Sequence, residues 1–306
     1  MASIRRAAAW AGPQRLGLAL MVLTTAGFAC ITTFSKLAYA GGSNPQTLLL
    51  LRFAVFGAGM ALMQRWRGYP LGLRRGMRSP ILGVALFQLM LSGGYLGAVA
   101  FIPVGLAVIL LYTSPFLVAL LSVLMRRDRM TATKAVAMAL AFIGVLAAVG
   151  PSFAHLDPRG IVAGLTAALG LVLMITLGGG WMQREDPVTL NMYAALLLVL
   201  PVGAYLAWTG SLRLPQTALG QVGVVGATLC FLFGTLCWAL SMRLVAPIRM
   251  AVALNLEMPM TIAIGTIFLG ERLRPLQLAG AALVVGAVTA LTLFGRPTKP
   301  GAPSRG

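Results

Sequence analysis

From Leu16 to Phe294 the sequence is a succession of long apolar stretches separated by short polar ones. No motif limits the fold as strongly as this alternation does. The stretches cover residues 16–38, 46–64, 80–101, 104–125, 134–150, 160–181, 187–208, 218–242, 248–269 and 275–294. Most reach the roughly 20 residues with which an α-helix crosses a bilayer. The fifth is the shortest, and the third and fourth are parted by little more than Pro103, which reads as a tight turn between two helices. Transmembrane β-strands would alternate in stretches of about ten residues, whereas helices keep their backbone hydrogen bonds internal, as hydrocarbon requires. The chain is 59% hydrophobic and 10% charged, with a mean hydropathy of +0.90. A water-soluble fold, usually about 25% charged, has too little interior to hide so much apolar side chain. The expected fold class is therefore an all-α polytopic membrane protein with ten transmembrane helices. The basic, then apolar start resembles a signal peptide, but its apolar part runs on to Ala38 and reads as the first span.

The net charge of +18 would suggest nucleic-acid binding in a soluble chain. Here the basic residues lie between spans and read as topology signals that also meet anionic membrane lipids. No nucleic-acid partner is expected. With the N-terminus inside, the inner loops hold Arg65, Arg67, Arg74, Arg75 and Arg78, and then Arg126, Arg127, Arg129 and Lys134. The outer regions hold only Lys36, Arg159, Arg213, Arg272 and Arg274. This bias places both termini in the cytoplasm of a multi-pass protein. Residues 296–306 read as a short disordered cytoplasmic tail.

Catalytic and metal chemistry find little support. His155 is the single histidine, and Cys30, Cys230 and Cys237 fall inside spans without metal-ligand spacing. The glycines of "LGGGW" have no P-loop lysine after them. No cofactor, metal site or catalytic group is expected.

Residues 112–150 and 256–294 share a layout: a proline early in a span, a short charged turn, then a span rich in small residues. Pro115 and Pro259 lie about 144 residues apart, close to five helices. Because five is odd, a repeated five-helix unit must invert in the membrane, an architecture that exposes one central site to each side in turn. The expected units are residues 1–150 (helices 1–5) and 151–295 (helices 6–10), as two five-helix inverted repeats.

The stretch "NLEMPMTIAIGTIFLGERLRPLQLAGAALVVGAV" (255–288) resembles the last two helices of EamA-type transporters of the drug/metabolite transporter superfamily. "VILLYTSPFLVALLSVL" and "LLLLRF" (48–53) fit the first half of that pattern. Met258 stands between Glu257 and Pro259, where members commonly have glutamate directly before proline. Asp128 takes the place like that of Glu271, offset by one. The resemblance implies a secondary transporter of small metabolites, commonly an exporter of amino acids or related compounds, in a bacterial cytoplasmic (inner) membrane.

Polar residues deep in the spans are the candidate central site. A charge at mid-depth is costly, so Glu257 reads as a substrate-amine or proton site, or as a buried anchor. Arg52 keeps its proton. It could pair with Glu257, hold a substrate carboxylate or snorkel outward. Gln88, Ser92 and Tyr95 fall at i, i+4 and i+7 on helix three. Tyr112 precedes Pro115. Asn255 and Pro259 share a face of helix nine, with Glu257 about 200° round from Asn255. Trp238 and Trp181 are candidates for interface belts or cavity walls, and Asn191 and Tyr193 are similarly ambiguous. Pro115 and Pro259 read as kinks that free backbone carbonyls. Lys36 reads as an interface anchor or a vestibule residue. Gly93 with Gly97, and Gly220 with Gly223 and Gly226, read as helix contacts. The expected partners are a small-molecule substrate, with amino acids favoured, and membrane lipids. Proton coupling is possible, and the expected state is a monomer or weak homodimer. Carriage of another small organic solute or drug is the first alternative, and a non-transporting scaffold or a membrane enzyme the second.

Overall fold

A computed structural model describes residues 2–68, 76–124, 131–149, 157–241, 253–271 and 273–294. His155, Asp128, Arg74, Arg75 and the 296–306 tail lie outside the described residues. Each of the ten apolar segments carries a helix, and every regular element described is helical. The helices are α1 (Ala2–Ala40), α2 (Pro45–Trp66), α3 (Arg78–Phe101), α4 (Val104–Leu111 and Ser114–Leu124) and α5 (Ala132–Val149). After them come α6 (Pro158–Leu173, continuing to Arg184), α7 (Pro187–Thr209), α8 (Ala218–Ser241), α9 (Glu257–Leu269) and α10 (Pro275–Phe294). One π-turn interrupts α3 at Leu89–Gly93 and another interrupts α6 at Met174–Gly178. Six helices are long and apolar enough to cross a membrane; the apolar parts of α4, α5, α9 and α10 are shorter. The expected ten helices are present, six of them of full spanning length among the described residues. Large apolar side chains such as Leu62, Leu200, Ile267 and Phe268 point outward, as lipid contact requires. The chain is an all-α polytopic membrane protein.

Helix starts follow the local chemistry. Asn44, Asp157 and Asp186 each cap a helix whose first residue is proline. Such a cap satisfies an amide the helix cannot, and proline at the first position has no amide to satisfy. Gly210 (φ 59°) and Gly270 (φ 66°) close α7 and α9 in the left-handed region that favours glycine.

The packing has a regular plan. α1 packs on α8 and α9, while α6 packs on α3 and α4. α2 packs on α8, and α7 on α3. The pairs α2/α7, α4/α9 and α5/α10 meet directly. The first half of α4, Val104–Leu111, is buried at every residue and forms the centre of one core cluster.

Glycines let these helices approach. A Cβ on Gly223 of α8 would lie 2.7 Å from the Phe34 carbonyl oxygen of α1. One on Gly94 of α3 would lie 2.6 Å from the Ala163 carbonyl oxygen of α6. The Gly220/Gly223/Gly226 run therefore packs as expected. On α3 the tight contact belongs to Gly94, while Gly93 and Gly97 line a cavity.

α2 and α7 hold each other at both ends. At the end carrying the 41–44 turn, Asn44 Oδ1 accepts from the Thr47 amide (2.8 Å), and Asn44 Nδ2 donates to the Ser211 carbonyl just past α7 (2.7 Å). The Arg213 amide donates to Thr47 Oγ1 (3.0 Å). At the opposite end, Asp186 Oδ2 accepts from the Thr189 amide (2.9 Å), and Asp186 Oδ1 pairs with Arg67 just past α2 (3.3 Å). There Gln64 Nε2 donates to Thr189 Oγ1 (2.8 Å). The sequences at the two caps are Asn44-Pro45-Gln46-Thr47 and Asp186-Pro187-Val188-Thr189. The cap of each helix thus grips the far end of the other. Asp186→Ala removes a cap and an ion pair together. It is expected to cost about 1–3 kcal/mol, read as a lowered Tm of the purified protein, whereas Asp186→Asn keeps the cap and loses less.

Candidate functional site

Two helix breaks meet inside the bundle. α4 is interrupted at Tyr112–Thr113, where the Tyr112 amide still donates to the Val108 carbonyl and the Thr113 amide turns back to Leu110 at 3.1 Å. α9 begins at Glu257, after a turn at Asn255–Leu256. Pro115 and Pro259 each fall in the first turn of the helix that follows, where a missing amide hydrogen leaves no acceptor wanting. This corrects the expectation of a helix nine running through residues 248–269 with Glu257 well inside it. Glu257 lies in the first turn of α9, a position that favours a carboxylate. The shared helical face expected for Asn255 and Pro259 is lost as well.

The breaks are tied together. Tyr112 Oη donates to the Leu254 carbonyl oxygen at 2.7 Å, an acceptor that a continuous helix would give to the amide four residues on. Asn255 Nδ2 donates to Thr289 Oγ1 of α10 at 3.2 Å. Trp238 packs with Met21, Ala253 and Leu254 beside the same break. It is half-buried there, as is Trp181, which stacks on Phe87 with ring centroids 6.0 Å apart. Among the described side chains, the strongly exposed tryptophans are Trp66 (86%) and Trp208 (89%). Tyr112→Phe strips the bond between the breaks and is expected to lower stability by about 1–2 kcal/mol, measured as Tm.

Glu257 is half-buried and has no hydrogen bond or ion pair among the described residues. Its charge acts on the hydroxyls of Tyr95 and Tyr112. Arg52 is 3% exposed, and its Nε and Nη2 are buried without a hydrogen-bond partner. Its guanidinium lies 4.3 Å over the Phe231 ring, and Tyr39 and Tyr95 are within reach of its charge. The ion pair considered for Arg52 and Glu257 does not form. Tyr95 feels both charges, and the ion pair found among the described residues is Arg67–Asp186. A buried charge without its partner costs about 3–5 kcal/mol, and a cation–π contact returns about 0.5–2 kcal/mol of that. Arg52 is thus an under-compensated cation. Snorkelling is ruled out by its burial.

The remaining candidates separate from this pair. Gln88 Nε2 donates to Asn191 Oδ1 at 2.7 Å, joining α3 to α7. Lys36 is half-buried and feels Glu271. Glu271 Oε1 in turn accepts from the Val104 amide at 3.1 Å, a carboxylate on the N-terminus of α4. Tyr39 and Phe231 escaped the sequence reading, although Tyr39 follows Lys36 by three residues, one helical turn. Tyr39 Oη donates to the Leu96 carbonyl (3.1 Å). Tyr39 also lines a cavity of about 480 Å³ at the 41–44 end, with Ser43, Asn44, Leu49, Gly93 and Gly97 among its neighbours. Leu49 sits one turn before Arg52 on α2. Among the described residues no group of three or more His, Cys, Asp or Glu is placed to hold a metal ion.

Residues 15–150 and again residues 158–293 match the profile of the EamA-like transporter family. An uncharacterized transporter of Archaeoglobus fulgidus is 27% identical over 249 residues, covering 79% of this chain and 86% of its own. A second from the same organism is 25% identical over 279 residues, covering 91% and 97%. A solved crystal structure superposes with a TM-score of 0.64 at 16% identity, covering 92% of this chain and 98% of that one; at that identity the likeness is one of fold alone.

Proposed function

Because the chain belongs to the EamA-like transporter family, a family of transporters and not of enzymes, we propose that it exports amino acids or related small metabolites. The step crosses the cytoplasmic membrane by alternating access, with both termini on the cytoplasmic side. The observation that carries this reading is the meeting of the two helix breaks at Tyr112 and Leu254. Unwound backbone at bilayer depth is tolerated where it is enclosed by protein or lines a cavity. Paired breaks in corresponding helices of two halves mark central sites in secondary transporters.

In this reading the halves are inverted five-helix repeats, residues 1–150 and 151–295. Three observations support it. The same family profile fits each half. Exchanging helices one to five with six to ten turns the main packing pairs into one another or into themselves: α1/α8 becomes α6/α3, α2/α8 becomes α7/α3, and α2/α7, α4/α9 and α5/α10 are unchanged. The two α2/α7 grips use the same cap pattern at opposite ends. A pseudo-two-fold operation of this kind makes opening toward one side and opening toward the other near-equivalent states of one bundle. Arg52, Tyr95, Tyr112, Trp238, Asn255 and Glu257 then surround the solute, with Pro115 and Pro259 at the moving breaks. Gln88 sits on the far side of the π-turn and holds α7. Glu257 is the group that would carry a coupled proton.

The test is uptake into proteoliposomes against labelled amino acids, with protein-free vesicles as control and with or without a pH gradient. Saturable flux abolished by excess of one unlabelled amino acid is expected. Flux of bases, sugars or cationic drugs with none of amino acids would keep the carrier and overturn its substrate. Folded protein that moves none of these would overturn transport.

A further inference from the structure

Among the described residues the chain supplies Arg52 with no anionic partner. Of its six Asp and Glu residues, Asp157 caps α6, Asp186 pairs with Arg67 and Glu271 binds the Val104 amide. Glu185 ends α6, Asp128 lies outside the described residues, and Glu257 makes no ion pair with Arg52. The two unpartnered nitrogens, Nε and Nη2, are the pair that share one edge of a guanidinium. Their N–H bonds run parallel and match the two oxygens of a carboxylate. Phe231 covers the face of the group at 4.3 Å, and both nitrogens of that edge are buried and left without a partner by the protein.

We propose that the Arg52 edge, framed by Phe231, Tyr39 and Tyr95, is the seat for the carboxylate of the transported solute, approached from the cavity at the 41–44 end. The proposal rests on the transporter reading above and narrows it to carboxylate-bearing solutes. The cavity reaches Tyr39 and Leu49, each next to Arg52 in space or along the helix. Tyr95 is within reach of both Arg52 and Glu257. Arg52 and Glu257 form no ion pair, so a cationic group of the same solute finds its own pole. An amino acid carries both groups.

Thermal unfolding of the purified full chain tests the seat with matched probes: L-leucine against L-leucinamide, L-phenylalanine against its amide, and acetate against acetamide. The carboxylates are expected to raise Tm and the amides to leave it unchanged. Arg52→Lys keeps the charge and loses the two-point edge, and is expected to weaken carboxylate binding roughly tenfold or more. Phe231→Leu retains Arg52 and loosens its support, so it gives a weaker version of the same loss if the Arg52 variant does not fold. Equal stabilisation by amides, or none by any carboxylate, would overturn the seat. Chloride or phosphate matching the carboxylates would also overturn it, leaving a resident inorganic anion in its place. The two readings fail separately. Carboxylates that bind but never cross the proteoliposome membrane would sink transport and keep the seat. Flux confined to amines would keep transport and sink the seat.

Discussion

Glu257→Gln is expected to cut solute flux by roughly 10–100-fold, the worth of one charged hydrogen bond of about 1.5–3 kcal/mol. Yield and Tm should be unchanged or slightly higher. The carboxylate is half-buried in the first turn of α9 and bonds to nothing among the described residues, so it holds no part of the bundle in place. What it supplies is a negative charge beside Tyr95 and Tyr112. Glutamine keeps the size and removes the charge. Proteoliposome flux at several pH values, with Tm measured on the same preparation, decides the matter. Wild-type flux at every pH would remove Glu257 from the mechanism. A collapse of Tm would make it a structural anchor.

Gly223→Leu is expected to prevent folding, and Gly94→Leu to do nearly the same. A Cβ at Gly223 would meet the Phe34 carbonyl of α1, and one at Gly94 the Ala163 carbonyl and Ala167 amide of α6. These are backbone atoms of packed helices, which cannot swing aside as a flexible side chain does. Overpacking of this sort costs about 1–3 kcal/mol for extra methylenes in a core and more where the backbone must part. Size-exclusion profiles in detergent should show aggregate in place of a single peak. Gly286→Leu is the control, since a Cβ there meets nothing within 4 Å. A monodisperse Gly223→Leu protein with wild-type Tm would refute the close α1–α8 packing.

The features written in residue types were legible in the sequence. The apolar segments gave the helices, and Pro115 and Pro259 pointed to the right two helices for the breaks. The depth and charge of Glu257 and Arg52 set them apart from all other candidates. Pro259 marked a kink but not its extent: the turn at Asn255–Leu256 lies before the proline, and hydropathy does not register a missing hydrogen bond. The π-turns at Leu89–Gly93 and Met174–Gly178 have no letter pattern at all. They arise from tertiary fit. Distance was equally hidden: equal depth in the bilayer made Arg52 and Glu257 look like partners, yet no ion pair joins them. The Asn-Pro-x-Thr and Asp-Pro-x-Thr caps were readable and went unread, since their meaning appears only when α2 and α7 are seen side by side. Phe231 had no signal, because one apolar residue among many marks a guanidinium platform only in three dimensions.

The α1–α8 contact sets the schedule of biogenesis. Phe34 leaves the ribosome roughly 190 residues before Gly223, so at about 5–20 residues per second the first helix spends about 10–40 s in the bilayer without its closest partner. Through that interval its small-residue face and its buried threonines, Thr24, Thr25, Thr32 and Thr33, look out on lipid or on whatever insertion factor holds them. The half-made chain is the species most open to membrane proteases and to association with other nascent helices. Slowing translation after α5 would therefore lower the yield of folded protein even though no residue of the finished bundle had changed.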